Sequence, residues 1–337
     1  MGHIKHFVFV LVFLVIFAVS FHFVTHIFTY KMGENDTINS FYKEPNDSID
    51  VLFVGSSHAY SSFSPMELWN EAGISSYNLG SSSQSIPCSY YLIKEGIRTQ
   101  HPQIVVLETY GAKYDEDYVS SARLHIALDG IPFGQTKMEI MTEFLPRTMS
   151  LHERLEYYFP IIRFHSRWTE LRAMDFHPRN LCLKGYHLSC KVTQLNEPVP
   201  ETDTHELYSG TLEYFQRIID LCNDNNIELI LCNAPMGQNA KYTETNMKVN
   251  ELIEYAKKQS IPCINFENLR EELDIDYNTD FRDDEHLNLY GMRKVMSYLV
   301  TYFSDNYNLT DHRREDDYKD WNHDYDDYLM LIAKEKR

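Results

Sequence analysis

Cysteine is scarce, six residues in 337, and the six are too scattered for a disulfide scaffold. There is no CxxC and no HExxH, so nothing in the chain reads as a zinc site, and no metal or other cofactor is expected. Basic residues are outnumbered, 31 Lys and Arg against 49 Asp and Glu, for a net charge of −18. A chain this acidic is repelled by phosphate backbones, which argues against nucleic acid as a partner. No internal repeat and no low-complexity segment appears. Apolar residues at 43% and charged residues at 24% describe a globular protein and exclude wholesale disorder, collagen and coiled coil. Aromatic residues are plentiful at 14%, with 24 Tyr, and such side chains serve both cores and broad sugar-binding surfaces.

Charge is missing altogether from Phe7 to Phe28, FVFVLVFLVIFAVSFHFVTHIF. That run suits one helical crossing of about 20 residues. A cleavable signal peptide competes, because Ala18-Val19-Ser20 resembles a small-residue cleavage site. Against cleavage, Phe21, Phe23, Val24, Ile27 and Phe28 continue the apolar run beyond it. The run is read as an uncleaved anchor over residues 1–31, single-pass in the cell membrane. Lys5 before it and Lys31 after it set little orientation bias. A short N-terminal tail with a large following domain usually leaves the domain on the extracytoplasmic side. Residues 32–47 are polar and read as a short tether.

From residue 48 the pattern is strand, loop, helix. Ile49, Val51, Leu52, Phe53 and Val54 form an apolar run broken by Gly55 and serines; SSYNLG repeats the pattern, with a helix over Cys88–Arg98. Ile104–Glu108 is a third strand. Helix Leu212–Asp224 precedes strand Ile227–Pro235, helix Glu244–Gln259 precedes a short strand Ile261–Phe266, and a helix Tyr290–Phe303 follows His286. Strands apolar on both faces and alternating with helices predict an α/β fold, a mostly parallel sheet of about five strands covered on both sides. Ligands bind such sheets at the strands' carboxyl ends.

Residues 111–200 interrupt this rhythm as a helical insertion after the third strand, with helices near Ser120–Leu128, Thr136–Phe144 and Leu151–Leu171. It reads equally as a lid over the strand ends or as extra packing. Within it Cys182 and Cys190 are a close pair, open between a disulfide and two free thiols; Cys222, Cys232 and Cys263 read as inert core. The domain thus spans 48–310, and 311–337 is a charged helical tail. In that tail Trp321, Tyr325, Tyr328, Leu329 and Ile332 recur at helical spacing.

Two places can carry chemistry: Gly55-Ser56-Ser57-His58 at the end of the first strand, and Asp283-Asp284-Glu285-His286-Leu287-Asn288 near the domain's end. A serine becomes a nucleophile when an imidazole takes its proton and a carboxylate orients that imidazole. A sharp turn after a strand exposes the hydroxyl, and an Asp three residues before a His can reach the ring nitrogen turned away from the serine. Alone, each half also reads blandly, Ser56 or Ser57 as a helix cap and DxxH as a surface loop.

Together these residues resemble the SGNH/GDSL hydrolase superfamily. They are most similar to its membrane-anchored branch with GSS in place of GDS, which includes the DltD-like proteins of teichoic acid D-alanylation and is related to alginate and peptidoglycan O-acetylation proteins. The resemblance covers about residues 48–310, and TDFRDDEHLNLYG (Thr279–Gly291) and Lys184-Gly185-Tyr186 add to it. It implies a three-layer flavodoxin-like fold. It also implies Ser57 as nucleophile with Ser56 in the Asp place, His286 as general base and Asp283 as its partner. Oxyanion donors would be the Ser57 and Gly80 amides. The family's third donor, an Asn after the third strand, is missing, because the chain there reads Glu108-Thr109-Tyr110-Gly111; Gln84 is the expected substitute. His58 is read as pocket lining, with a plain structural role equally open. Glu108, at a strand's carboxyl end, is open between a place at the site mouth and, the plainer reading, a buried partner for an arginine.

The implied function is a membrane-tethered extracytoplasmic serine acyltransferase or esterase acting on acylated cell-envelope glycopolymers, partnered by a membrane-bound O-acyltransferase. The alternative is a non-catalytic polysaccharide-binding or scaffolding protein of the same fold, which the missing Asn favours and the intact Ser57–His286–Asp283 set opposes. A phosphoesterase would want metal ligands clustered at strand ends, and no convincing cluster is found there.

Overall fold

Val51–Val54 buries all four of its side chains, and a short strand with no polar face is stable only inside a covered sheet. In the computed structural model, which describes residues 2–29, 34–114, 121–176 and 183–336, this strand is β1. With β2 (Ser76–Asn78), β3 (Ile104–Glu108), β4 (Glu228–Asn233) and β5 (Cys263–Asn265) it forms one parallel sheet in the order β2-β1-β3-β4-β5, the flavodoxin-type order. The chain steps one way from β1 to β2 and the other way through β3, β4 and β5. Right-handed crossovers then put the first connecting helices on one face and the later ones on the other. The reversal falls between β1 and β3, so a crevice opens above their carboxyl ends.

The helices follow in chain order: α1 (Gly2–Phe28), α2 (Glu34–Phe41), α3 (Ser57–Ser62), α4 (Pro65–Ala72) and α5 (Ile86–Gln100). Over Ile4–Phe28, α1 is long and apolar enough to cross a membrane, and most of its apolar side chains are exposed, while Ile27 is buried. The expected tether is not a free spacer. Ile38 and Phe41, one turn apart, give α2 an apolar stripe, and both are buried, with the Phe41 ring 5.1 Å from Tyr77.

After β3 the insertion contains α6 (Ser121–Leu128), α7 (Gln135–Glu139), α8 (Leu145–Thr148), α9 (Leu151–Tyr158), α10 (Ile161–Phe164) and α11 (Ala173–Phe176). A continuous helix expected over Leu151–Leu171 breaks at Phe159-Pro160, because proline disfavours helical backbone before it and removes a donor. Leu124, Leu128, Ile140, Met141, Phe144 and Leu145 join the main core, so much of the insertion is packing. The remaining helices are α12 (Ser209–Asp224), α13 (Tyr242–Lys258), α14 (Leu289–Asn306) and α15 (Lys319–Glu335). In α15, Trp321, Tyr328 and Ile332 are buried as their spacing predicts. Leu329, one residue round from Tyr328, is 42% exposed. Cys190 is a free thiol, and Cys182 lies outside the described residues. Burial raises the thiols of Cys222, to about 12, and Cys263, to about 11.

The Lys184-Gly185-Tyr186 turn closes the β2 edge: the Asn78 amide donates to the Lys184 carbonyl at 2.9 Å. Lys184 Nζ reaches Glu44 at 2.7 Å and Asp324 at 2.8 Å, tying the segment after α2 to α15. Gly185 has φ +91°, and a Cβ there would lie 1.9 Å from the Asn78 carbonyl oxygen. Gly185→Ala is therefore expected to cost about 2–3 kcal/mol, through strain and displacement of β2. Gly134→Ala, where only one backbone oxygen lies within 4.0 Å, should cost far less. Thermal unfolding of the full chain in detergent compares the two.

Candidate active site

β1 ends at Val54, and Gly55 turns the chain where a Cβ would come within 2.5 Å of Glu108 Cβ. Ser56 then caps α3, its hydroxyl accepting the His58 N–H at 3.1 Å. Ser57 is the first residue of α3, 8% exposed, and its Oγ lies 2.7 Å from His286 Nε2. On the far side of that ring, Nδ1 is 2.7 Å from Asp283 Oδ1. The carboxylate accepts a hydrogen bond from Nδ1–H, which keeps the proton on that nitrogen and leaves Nε2 free to accept from the serine hydroxyl.

The loop that carries His286 is held from several directions. Asp283 Oδ1 also accepts the backbone N–H groups of Glu285 and His286, at 3.0 and 2.9 Å, which locks carboxylate and imidazole into one turn. Burial raises the Asp283 carboxyl, but the His286 hydrogen bond and charge and the Glu285 amide outweigh it and hold it well below its ordinary range. Leu287 pairs with Phe281, and Asn288 caps α14 while donating to the Lys191 and Thr279 carbonyls. Asp283, Leu287 and Asn288 thus each have a structural duty in this loop.

Beneath the serine turn lies Glu108, fully buried. It was expected to pair with an arginine. Instead its Oε2 accepts the Ser56 amide at 2.9 Å and the Ser56 hydroxyl at 2.6 Å, and its Oε1 accepts the Tyr110 amide at 2.5 Å. Burial raises the carboxyl, and these three donors pull it back. Ser56 has to be a donor here, because its partner is an acceptor from the next strand.

Two expected oxyanion donors do not face the cleft. The Gly80 amide donates to Asn78 Oδ1 at 2.9 Å, inside the turn. The position needs glycine because a Cβ would lie 2.9 Å from the Ser56 carbonyl. Gln84 is buried, accepting from Ser81 Oγ at 2.7 Å and donating to Ser89 Oγ at 3.0 Å, so it braces the loop before α5. His58 does not line the pocket either. It is buried behind Tyr110, its ring 4.0 Å from that ring and 5.0 Å from His286, and its Nε2 has no hydrogen-bond partner among the described residues. Burial drives its imidazole well below its ordinary range, so it is neutral.

Ser57 and His286 open into a cleft of about 570 Å³, a size suited to a small-molecule or polymer segment. Its walls are residues that sequence reasoning missed: Tyr60, Ser82, Ser83, Tyr110, Lys113, Tyr114, Arg123, Lys241 and Glu285 among them. The strand-end rule could have found Tyr110 and Lys113, which follow β3 directly. Arg123 on α6 and Lys241 before α13 come from distant sequence, and no local signal marks them. Burial lowers Lys113 to about 8, with Glu285 opposing. Lys241 pairs with Glu285 at 2.7 Å.

His58, Glu285 and His286 are a set of metal-type donors whose ligand atoms lie within 4.8 Å of one another. Both His286 nitrogens already serve Ser57 and Asp283, so a bound ion would have to break that chain.

No family model matches the chain, and no curated protein matches it. Solved structures do. A protein of Desulfitobacterium hafniense named as a lipolytic protein of the G-D-S-L family has 12% identity and a TM-score of 0.39, covering 74% of this chain and 97% of that one. A Bacteroides fragilis protein named as an acylhydrolase has 12% identity and a TM-score of 0.36, with 78% and 92% covered. A Bacteroides thetaiotaomicron protein named as a GDSL-like lipase has 12% identity and a TM-score of 0.35, with 75% and 87% covered. With TM-scores below 0.5 these are weak likenesses, and the reading of the site rests on its own geometry.

Glu108→Gln keeps the shape of the side chain but turns an amide N–H toward one of its three donors. It is expected to cost about 2 kcal/mol of stability and to lower turnover of an activated ester about tenfold or more. Paired thermal unfolding and ester assays check both.

Proposed function

We propose that the protein is a serine esterase or acyltransferase, with Ser57 as nucleophile, His286 as general base and Asp283 as the group that orients it. The observation that carries this reading is the unbroken hydrogen-bonded chain Ser57 Oγ, His286 Nε2, His286 Nδ1, Asp283 Oδ1, with both links at 2.7 Å, opening into a cleft. As Ser57 Oγ attacks an acyl carbonyl, its proton passes to His286 Nε2. The ester C–O bond then breaks, and the departing alcohol leaves with that proton, giving an acyl-Ser57 ester. Water or a sugar hydroxyl, deprotonated by the same nitrogen, completes hydrolysis or transfer. The oxyanion would be met by the Ser57 N–H, which as the first amide of α3 has no partner within the helix. Gly80 would join only if the Asn78 amide turned away.

The substrate class follows from the same resemblance: O-acyl groups on a cell-envelope glycopolymer, reached from an extracytoplasmic domain anchored by α1. A membrane-bound O-acyltransferase as acyl donor completes that proposal. A specific observation supports a second reading. With Gly80 engaged and no Asn after β3, the site offers fewer oxyanion donors than its family, as suits a polymer-binding partner without turnover.

Intact-protein mass spectrometry after exposure to an activated acetyl ester separates the two. One acetyl adduct on Ser57, absent in Ser57→Ala, is the outcome expected of the enzyme; a folded protein with no adduct favours the binding role. The cleft charge makes a further prediction. Lys113 carries its charge below about pH 8 and loses it as pH rises through that value. For esters of anionic polyols, KM should rise from pH 7 to pH 9 by roughly threefold to tenfold, the loss of one partly screened ion pair. Neutral esters should show no such rise, and Lys113→Met should remove it.

A further inference from the structure

The second half of the insertion carries large apolar side chains that nothing covers among the described residues. Leu151 and Leu155 on α9, Phe159 after it, Ile162 on α10, Trp168 in the following turn and Phe176 on α11 are 66%, 37%, 47%, 42%, 70% and 51% exposed. Scattered exposed leucines mean little, but a run of six in 26 residues is a patch that marks an interaction surface.

Its position says with what. The patch is continuous with the last two turns of α1. The Phe159 ring meets Phe21 edge-on at 6.3 Å, Arg167 donates to the Phe28 carbonyl, and α10, the turn after it and α11 all pack on α1. At 1.5 Å per residue, Ile4–Phe28 is about 37 Å long, against a hydrocarbon core of about 30 Å. Phe21 lies about 10 Å before Phe28 along that axis. With the overhang shared between the two ends, Phe21 and the Phe159 ring beside it lie about 7 Å inside the acyl-chain boundary, within the roughly 5–10 Å to which interfacial helices bury their apolar face. Charge agrees: residues 151–176 hold four Arg against four Asp and Glu, so the acidic excess of the chain stops here. An exposed tryptophan suits an interfacial layer, where its ring lies among headgroups.

We propose that residues 151–176 form a membrane-interfacial platform, with α9 to α11 lying in the headgroup layer of the bilayer that α1 crosses. The platform rests on the reading of α1 as a membrane anchor. It would fix the domain's height and tilt, and so the distance from the bilayer to the cleft, whose rim α6 of the same insertion supplies through Arg123 and Ile126.

The test uses the full chain reconstituted in vesicles of phosphatidylcholine and phosphatidylglycerol, some brominated near the headgroup end of the acyl chain and some near its tip. Trp69 and Trp321 are buried, at 1% and 3% exposure, so Trp168→Phe defines their background emission. Interfacial insertion predicts that about half of the Trp168 emission is lost to the shallow bromolipid and much less to the deep one. Flotation of the same vesicles reads the anchor separately. If the chain floats and Trp168 is not quenched, the platform is overturned and the anchor stands. Trp168 shielded from aqueous acrylamide yet untouched by bromolipid would place a second copy or another protein on the patch, which also overturns it. If the chain does not float, anchor and platform fall together.

Discussion

Glu108 takes three hydrogen bonds from two turns that are far apart in sequence. A buried carboxylate is tolerated only when its oxygens are filled, so the turn after β1 and the turn after β3 have to meet it together. That requirement sets the direction of the Ser56 hydroxyl, which in turn caps α3 and sets where Ser57 begins the helix. The glycine at 55 follows from the same constraint, since any larger residue would displace Glu108. The cleft stands on this contact between the two strands that flank the reversal of the sheet.

A second constraint acts from the other end of the domain. One oxygen of Asp283 holds two backbone amides and the imidazole of His286, so the loop arrives already shaped before it meets Ser57. Asn288 and Leu287 fasten that loop to α14 and to the strand-like segment before it. Ser57 and His286, 229 residues apart, therefore meet through two independently rigid pieces rather than through a flexible approach. Preorganisation of this kind is what nucleophilic chemistry needs, because a misplacement of an ångström costs orders of magnitude in rate.

The places where expectation and structure part have a common cause. Gly80 and Gln84 sit in the right loop, but their hydrogen bonds are spent on the loop's own closure, through Asn78, Ser81 and Ser89. Glu108 looked like half of a salt bridge because a buried acid calls for a partner, and the partner proved to be backbone and serine. The supposed tether packs through Ile38 and Phe41, two apolar residues too few to stand out in a polar run. The walls of the cleft come from α6, the turn after β3 and the start of α13, whose meeting depends on crossovers that local patterning does not encode.

Period and punctuation in the chain were enough to determine the strands, most helices, the apolar N-terminal helix and the two short motifs that meet at the cleft. These rest on local physics: side-chain periodicity, the backbone freedom of glycine, the capping habit of Ser and Asn. Which amides remain free, which carboxylate is satisfied by what, and which side chains face the cleft were decided only by tertiary structure. Hydrogen bonds saturate, each donor serves essentially one acceptor, and the competition for them is settled by neighbours brought together from distant parts of the chain.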